Sequence, residues 1–501
     1  MRTFLCSVAL LLASRDSYTL SNSTQITSTL QNPEALEQGT VIERELARGD
    51  EHRYRIALSS GEHVWVIVEQ RGIDVAVDVL APDDTVLTSF YDERSSRGEE
   101  HVEVVTRTSA TYTLRVKPGV SVVKPGAYAI RIAGRRPATD DDRSIDESRR
   151  LRATALRVRS EANAIESRTA LERALSIAER VLGRDDPYVG VLLFELAGNA
   201  MATREDARAE ALYQRAIGIF EKNWGDQHPY AAMARSRVAS LYERAGQGPK
   251  GEALLRQALD VLEKTLGTDH LWYVQSLTTL GILRYDAGDL DKSEEISRRA
   301  MTLMEKIEDT HSIEYGALLN NLGEIYRQRQ DDVRAKELYQ RSLALAKELQ
   351  GEDSFLVSTS YQNLGILARE HKDYPEAEEY YTRALSIRER LLGPEHPDIA
   401  PLLNNLAIVQ HLTGRDERAL ETNFRTLDIW LKTRGPYHRG TLLSVGNIAR
   451  LYAAIGDIPK AIDFQRRADS IIETQLQLNL AVGSERQKMA FVSSAPTGRF
   501  R

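Results

Sequence analysis

A chain of 501 residues, 42% hydrophobic and 28% charged, has the material for two or three domains with cores of their own. Its net charge of −7 comes from acids and bases interspersed without a dense basic run, which argues against nucleic acid as the main partner, because phosphate binding wants clustered cations. The single cysteine, Cys6, lies so close to the N-terminus that its removal with a leader would exclude disulfides, thiolate metal sites and a cysteine nucleophile.

Arg2 precedes a ten-residue apolar run, Phe4 to Ala13, too short to span a bilayer and the right length for a signal-peptide core. Residues 1–22 are therefore expected to be a signal peptide or a disordered N-terminus. The chain is expected to be exported, periplasmic or extracellular, with no stable membrane insertion after the run is removed. A mistaken start codon or an N-terminal tail would leave the same pattern, and a cytoplasmic chain is the alternative. Cys6 is not preceded by a Leu-Ala-Gly type of lipobox, which argues against a lipoprotein.

From Thr40 to Arg136 apolar residues alternate with polar ones, in the runs 53–58, 64–68, 75–80, 102–105, 112–116 and 128–132. Ser59-Ser-Gly61, Ala81-Pro-Asp-Asp84 and Lys124-Pro-Gly126 separate them as turns. The spacing predicts a small all-β sandwich over 36–136. The order Gly49-Asp50, Tyr54 to Leu58, Gly61-Glu-His-Val64, Asp74 to Pro82 and Gly126-Ala-Tyr128 resembles the bacterial pre-peptidase C-terminal (PPC) module, a jelly-roll-like domain. That resemblance implies an accessory for binding or solubility and favours export. Asp74, Asp78, Asp83, Asp84, Asp92 and Glu93 lack EF-hand spacing and are expected to be solvated rather than to hold calcium. Residues 137–147, with three consecutive acids from Asp140, are expected to form a linker.

From Gly183 to Gly435 the chain repeats every 42 residues without an insertion. One column reads Gly183, Gly225, Gly267, Asp309, Gly351, Gly393, Gly435; a second reads Ala197, Ala239, Gly281, Gly323, Gly365, Ala407, Ala449. A third, from Ala174 through Ser342 and Thr426 to Ala468, admits nothing larger than Thr. Within Ser354 to Gly393 the pattern predicts helices over 356–370 and 375–391 around the turn His371 to Tyr374. Glycine inside a helix costs roughly 1 kcal/mol relative to alanine, so a Gly/Ala column is explained by close helix contact. A lone hairpin cannot cover its apolar stripes, and stacked neighbours can. The fold expected is mainly α, about seven helix hairpins over 148–475 with a degenerate unit at their start.

The small residue after Leu, Tyr three further on (Tyr242, Tyr326, Tyr452), Ala-Glu-x-x-Tyr and Arg-Ala-Leu resemble the tetratricopeptide repeat. Leu391 to Asp398 and Asn404-Asn-Leu-Ala407 resemble the 42-residue variant of kinesin light chains and many bacterial proteins. The resemblance covers about 300 residues and implies a right-handed α-solenoid, a fold that serves very many partners.

Gly246 to Gly251 matches G-x-G-x-x-G, but a helix precedes it and it falls in the turn column of Gly288, Gly414 and Gly456, so no dinucleotide is expected. No Walker loop or paired-histidine zinc helix is present, and neither cofactor nor metal is expected. His228, His270, His396 and His438 share one column but lie in separate loops, whereas zinc needs donors about 2 Å from one ion; each is expected to cap or brace its own turn. Asn321, Asn363, Asn405 and Asn447 stand two residues before the small column in four consecutive first helices. The tetratricopeptide resemblance implies that first helices line a concave groove where such amides hold a ligand's backbone or terminal carboxylate. Hydrogen bonds between neighbouring helices are the alternative, and both can hold at once. Arg327, Arg369 and His411, again 42 apart, give either a positive strip for acidic partners or a solvated surface.

Leu478 to Phe491 resembles the segment that joins such arrays to a caspase-like CHAT peptidase domain, and the residues that follow are too few for one. The functional expectation is a non-enzymatic scaffold binding extended protein or peptide segments through Asn321, Asn363, Asn405 and Asn447, with Arg327, Arg369 and His411 beside them. Two alternatives are the sensing part of a CHAT peptidase whose catalytic domain is missing, and an envelope- or carbohydrate-binding β-sandwich on a helical spacer. The pattern names no partner and no oligomeric state.

Overall fold

The computed structural model describes residues 33–91, 97–119, 125–157, 164–307 and 309–482. The apolar run with Arg2 and Cys6, the acids Asp92 and Glu93, the turn residue Lys124 and the tail beyond Val482 lie outside the described residues. The chain divides into two compact units between Asp331 and Asp332.

The first unit opens with nine strands: β1 (Glu34–Ala35), β2 (Val41–Leu46), β3 (His52–Leu58), β4 (Glu62–Arg71), β5 (Val75–Leu80), β6 (Val86–Phe90), β7 (Arg97–Val105), β8 (Ala110–Pro118) and β9 (Gly126–Pro137). They form two sheets, in the orders β1-β3-β8-β5-β6 and β2-β9-β4-β7. Alternation decides what faces inward: Tyr54, Ile56 and Leu58 from one sheet meet Val64, Val66 and Val68 from the other in one core. A bulge in β9, where Ala133 is the extra residue opposite the step from Trp65 to Val66 of β4, accompanies an indole laid over Gly134, where an added Cβ would run into the ring. Strand β5 is buried on both faces, so its one charge needs partners: Asp78, 2% exposed, takes Arg115 Nη2 at 2.7 Å, Lys117 Nζ at 2.6 Å and Ser89 Oγ at 2.6 Å. Burial pushes the Asp78 carboxyl up, but the two cations outweigh it and hold it below its ordinary value.

The six expected strand runs are all found. The expected linker is not one, because β9 continues to Pro137 and α1 (Asp140–Arg157) starts three residues later. The three acids are its first turn, where negative charge suits a helix N-terminus. Asp142 accepts Thr139 N at 2.7 Å and pairs with Arg136.

Helices then alternate through α2 (Ala164–Leu182), α3 (Pro187–Ala202), α4 (Asp206–Trp224), α5 (Pro229–Arg244), α6 (Gly248–Thr265), α7 (Leu271–Asp286), α8 (Leu290–Lys306) and α9 (Ile313–Gln328). The second unit continues with α10 (Asp332–Gln350), α11 (Phe355–Glu370), α12 (Tyr374–Leu392), a 3₁₀ turn Pro397–Ile399, α13 (Ala400–Leu412), α14 (Asp416–Arg434), α15 (Arg439–Ala454) and α16 (Ile458–Val482). The expected class, a β-sandwich followed by an α-solenoid of hairpins, is therefore found.

Each sequence column has a structural job. The small column lets the two helices of a hairpin touch: a Cβ on Gly281 would lie 2.9 Å from Ser297 Oγ, and one on Gly365 2.8 Å from the Tyr381 ring. The turn inside each hairpin is left-handed at one register position, filled by Arg204, Gly246, Gly288, Gln330, Lys372, Gly414 and Gly456, all with φ between 61° and 83°. Gly246 thus belongs to a turn series, as expected of a chance fingerprint match.

The histidine column proves to be an N-cap column. Asp186, His228, His270, Ser312, Ser354, His396 and His438 each accept a backbone N–H from the first turn of the following helix. The histidines use Nδ1, at 3.3 Å from Tyr230 N, 3.1 Å from Trp272 N, 3.2 Å from Asp398 N and 3.0 Å from Gly440 N. Among the described residues no group of three His, Cys, Asp or Glu is arranged to hold a metal ion.

Candidate interaction face of the helical repeats

The first helix of each hairpin turns its small residue toward the second helix, as Gly281 toward α8 and Gly365 toward α12 show. A residue two positions earlier lies about 200° around the axis at 100° per residue, on the side facing away from the second helix. The asparagines occupy that side. The column is longer than the four asparagines: counted back from Asn321 in steps of 42 it reads Thr279, Arg237 and Glu195. The register alone is enough to disclose this.

In the first unit this face is closed. Val191, Glu195 and Gly198 of α3, Met233, Arg237 and Ser240 of α5, and Gln275, Thr279 and Ile282 of α7 are all buried. Polar groups there pair from one first helix to the next. Arg152 Nε of α1 donates to Glu195 Oε1 at 2.9 Å, Arg237 to Gln275 Oε1 at 3.3 Å, and Tyr285 OH to Glu324 Oε1 at 2.6 Å. Asn321 is 3% exposed, and its Nδ2 has no hydrogen-bond partner among the described residues. Arg327, expected in a positive strip, is buried and forks onto Glu324 at 2.9 and 2.6 Å. Burial raises the Glu324 carboxyl, but Arg327 wins and keeps it ionised. At the far end of α5, the Glu243 carboxyl is pushed up by burial and by the hydrogen bond with Asp286.

In the second unit the face opens. Thr359 and Ile366 of α11 are buried, Asn363 and Asn405 are half-buried, and Leu412 and Leu443 are 48% and 55% exposed. Asn447 donates to Asn404 Oδ1 at 2.7 Å and to Asn423 Oδ1 at 3.4 Å, so this amide does bond to neighbouring helices. Arg450 also donates to it. Arg369 is half-buried, and exposed His411 has its Nδ1 2.5 Å from Asp416 Oδ1. Of the expected strip, then, two members face carboxylates of their own chain, and the exposed leucines stand outside the expected set.

Residues 230–306, 314–390 and 372–423 match a family model for the tetratricopeptide repeat, and residues 155–188 match a second such model. The chain carries tetratricopeptide repeats. The solved structures similar to it include BtubC (BKLC) from P. vanneervenii, at 24% identity over 46% of this chain and 91% of that one, with a TM-score of 0.37. A putative kinesin light chain with nearly identical repeats from Podosopora anserina matches at 19% identity over 50% and 98%, TM-score 0.27. A Rap protein complexed with Competence and Sporulation Factor matches at 14% identity over 68% and 88%, TM-score 0.48. No curated protein matches the chain. Among the described residues no helix is long and apolar enough to cross a membrane.

Proposed function

We propose that this tetratricopeptide array is a non-enzymatic interaction scaffold that holds extended segments of a partner protein against the first helices α11, α13 and α15. The observation that carries the reading is the half-exposed amide series Asn363, Asn405 and Asn447 at one register position. An amide that donates and accepts suits a peptide backbone without demanding a particular side chain. Leu412 and Leu443, exposed beside the series, supply apolar contact for the partner's side chains. Arg369 and Arg450 bring positive charge to the same helices and favour acidic character in the bound segment. Asn321, closed in its own unit, is not part of the accessible set.

The test is selection of extended peptides on the full chain from a displayed random library, followed by titration against the triple variant N363A/N405A/N447A. Peptides that bind the native chain are expected to lose roughly 2–4 kcal/mol of affinity, at about 1 kcal/mol per hydrogen bond, while the helical melt stays nearly unchanged. Equal binding by native chain and variant removes the amide series from the function.

A further inference from the structure

In a repeat array each unit touches its neighbours, so a contact that skips several hairpins must come from outside the repeat pattern. One such contact exists in the first unit. Arg48, in the turn between β2 and β3, donates through Nη1 to the carbonyl of Ile307, which caps the C-terminus of α8 and lies 259 residues away. The same β domain is fixed at its other side to the first hairpin. Helix α1 packs on β6 and β7, Arg149 Nη1 lies 2.6 Å from Glu103 Oε2, and Asp142 Oδ1 lies 3.3 Å from the buried His63. The guanidinium of Arg149 also stands 5.2 Å from the Phe90 ring. Between α1 and the end of α8 run three further hairpins, and the β domain is fastened to both ends of that stretch.

We propose that the β domain is a clasp: by tying the first hairpin to the fourth it holds α1, α3, α5 and α7 in their closed, mutually paired arrangement, and release at Arg48 opens the first-helix face of this unit to solvent and to a partner. The closed state is written in the pairs Arg152 with Glu195 and Arg237 with Gln275, each of which needs adjacent first helices to stay in reach. The asymmetry of the two attachments makes the Arg48 end the one that opens. The α1 side is covalently continuous through Pro137 and carries partly buried contacts, whereas the α8 side is held through the exposed turn that carries Arg48. A clasp of this kind explains why one end of the array carries a β domain, and it makes access to the buried polar column, including Thr279, a property of the whole first unit rather than of a single hairpin.

The test uses the full chain with Cys6→Ser and Thr279→Cys, so that one buried thiol reports on the face. Adding Arg48→Glu is expected to speed maleimide labelling of that thiol at least on the order of tenfold, the effect of losing the charge-assisted hydrogen bond to Ile307 that helps hold the closed state, while Arg44→Glu in the neighbouring strand leaves the rate unchanged. Identical labelling rates with and without Arg48→Glu overturn the clasp. Because a charge reversal can act by misfolding, a second variant carries Cys6→Ser, Arg48→Cys and Lys306→Cys and is treated with a short bismaleimide. An intramolecular bridge is expected in the folded chain, and its absence overturns the clasp independently.

Discussion

Acid should loosen this array through its cap histidines, and His228 shows how. Its Nδ1 must keep a lone pair to accept Tyr230 N–H, and the ring lies against Trp224 with centroids 4.3 Å apart. Burial lowers its pKa from 6.5 to about 4. A folded-state pKa below the unfolded one means a contribution that is fully present above pH 6.5 and is lost as the pH falls through about 4. The gap sets a ceiling of about 3 kcal/mol, and roughly half of that survives for a ring partly open to water. Serine already performs the same capping task at Ser312 and Ser354, so His228→Ser should keep the cap and remove this acid sensitivity. His228→Ala should instead cost about 1 kcal/mol even at neutral pH. Since repeat arrays unfold locally, the measurement is hydrogen exchange of the amides at the start of α5, at neutral pH and near pH 5. Protection that falls equally with acid in wild type and His228→Ser would refute the assignment of the effect to this ring.

Two further substitutions test the column logic by urea denaturation followed by circular dichroism. Lys372 holds the left-handed turn position that glycine fills in four other hairpins, so Lys372→Gly should stabilise the second unit by up to about 1 kcal/mol; a loss of stability would show that the lysine side chain has a role of its own. Gly365→Leu should cost about 3 kcal/mol or more, because its Cβ alone would come within 2.8 Å of the buried Tyr381 ring, whereas Gly365→Ala should cost only about 1 kcal/mol, the helix propensity of alanine offsetting part of that overlap.

Repetition makes the array legible in its amino-acid sequence. A residue that must be small between two helices leaves the same mark seven times, and Ala197, Gly281 and Gly365 can each be read from the others. The same logic places the histidines at turns, although their role as N-caps emerges only when Asp186, Ser312 and Ser354 are recognised as members of one acceptor column. Side chains off the repeat are harder to read. Arg327 has the position of a groove cation, yet Glu324 one turn earlier neutralises it, a pairing absent from the next repeat, where Ile366 occupies that position. The acids from Asp140 read as a linker because their composition is polar, and only the turn made by Thr139 and Asp142 shows that a helix begins there. Strand β2 is obscure for a related reason: along Val41 to Leu46 only Ile42 and Leu46 are buried, which leaves no clean alternation.

What distinguishes one tetratricopeptide array from another is therefore held where its columns depart from uniformity. The column that faces away from the second helices makes the point. It runs through Glu195, Arg237 and Thr279, buried in the first unit where Arg152 and Gln275 satisfy the two charges, and through Asn363, Asn405 and Asn447, half-open in the second. A charge satisfied across neighbouring helices is costly to pull from its partner, and breaking a buried ion pair such as Arg152 with Glu195 costs about 3–5 kcal/mol. Amides exchange protein partners for a ligand's backbone at far smaller cost, about 1 kcal/mol each. The polar chemistry of a single register position thus separates a face that stays shut while its charge pairs hold from one whose half-open amides Asn363, Asn405 and Asn447 are able to trade contacts, and the proposed ligand exchange belongs to the latter.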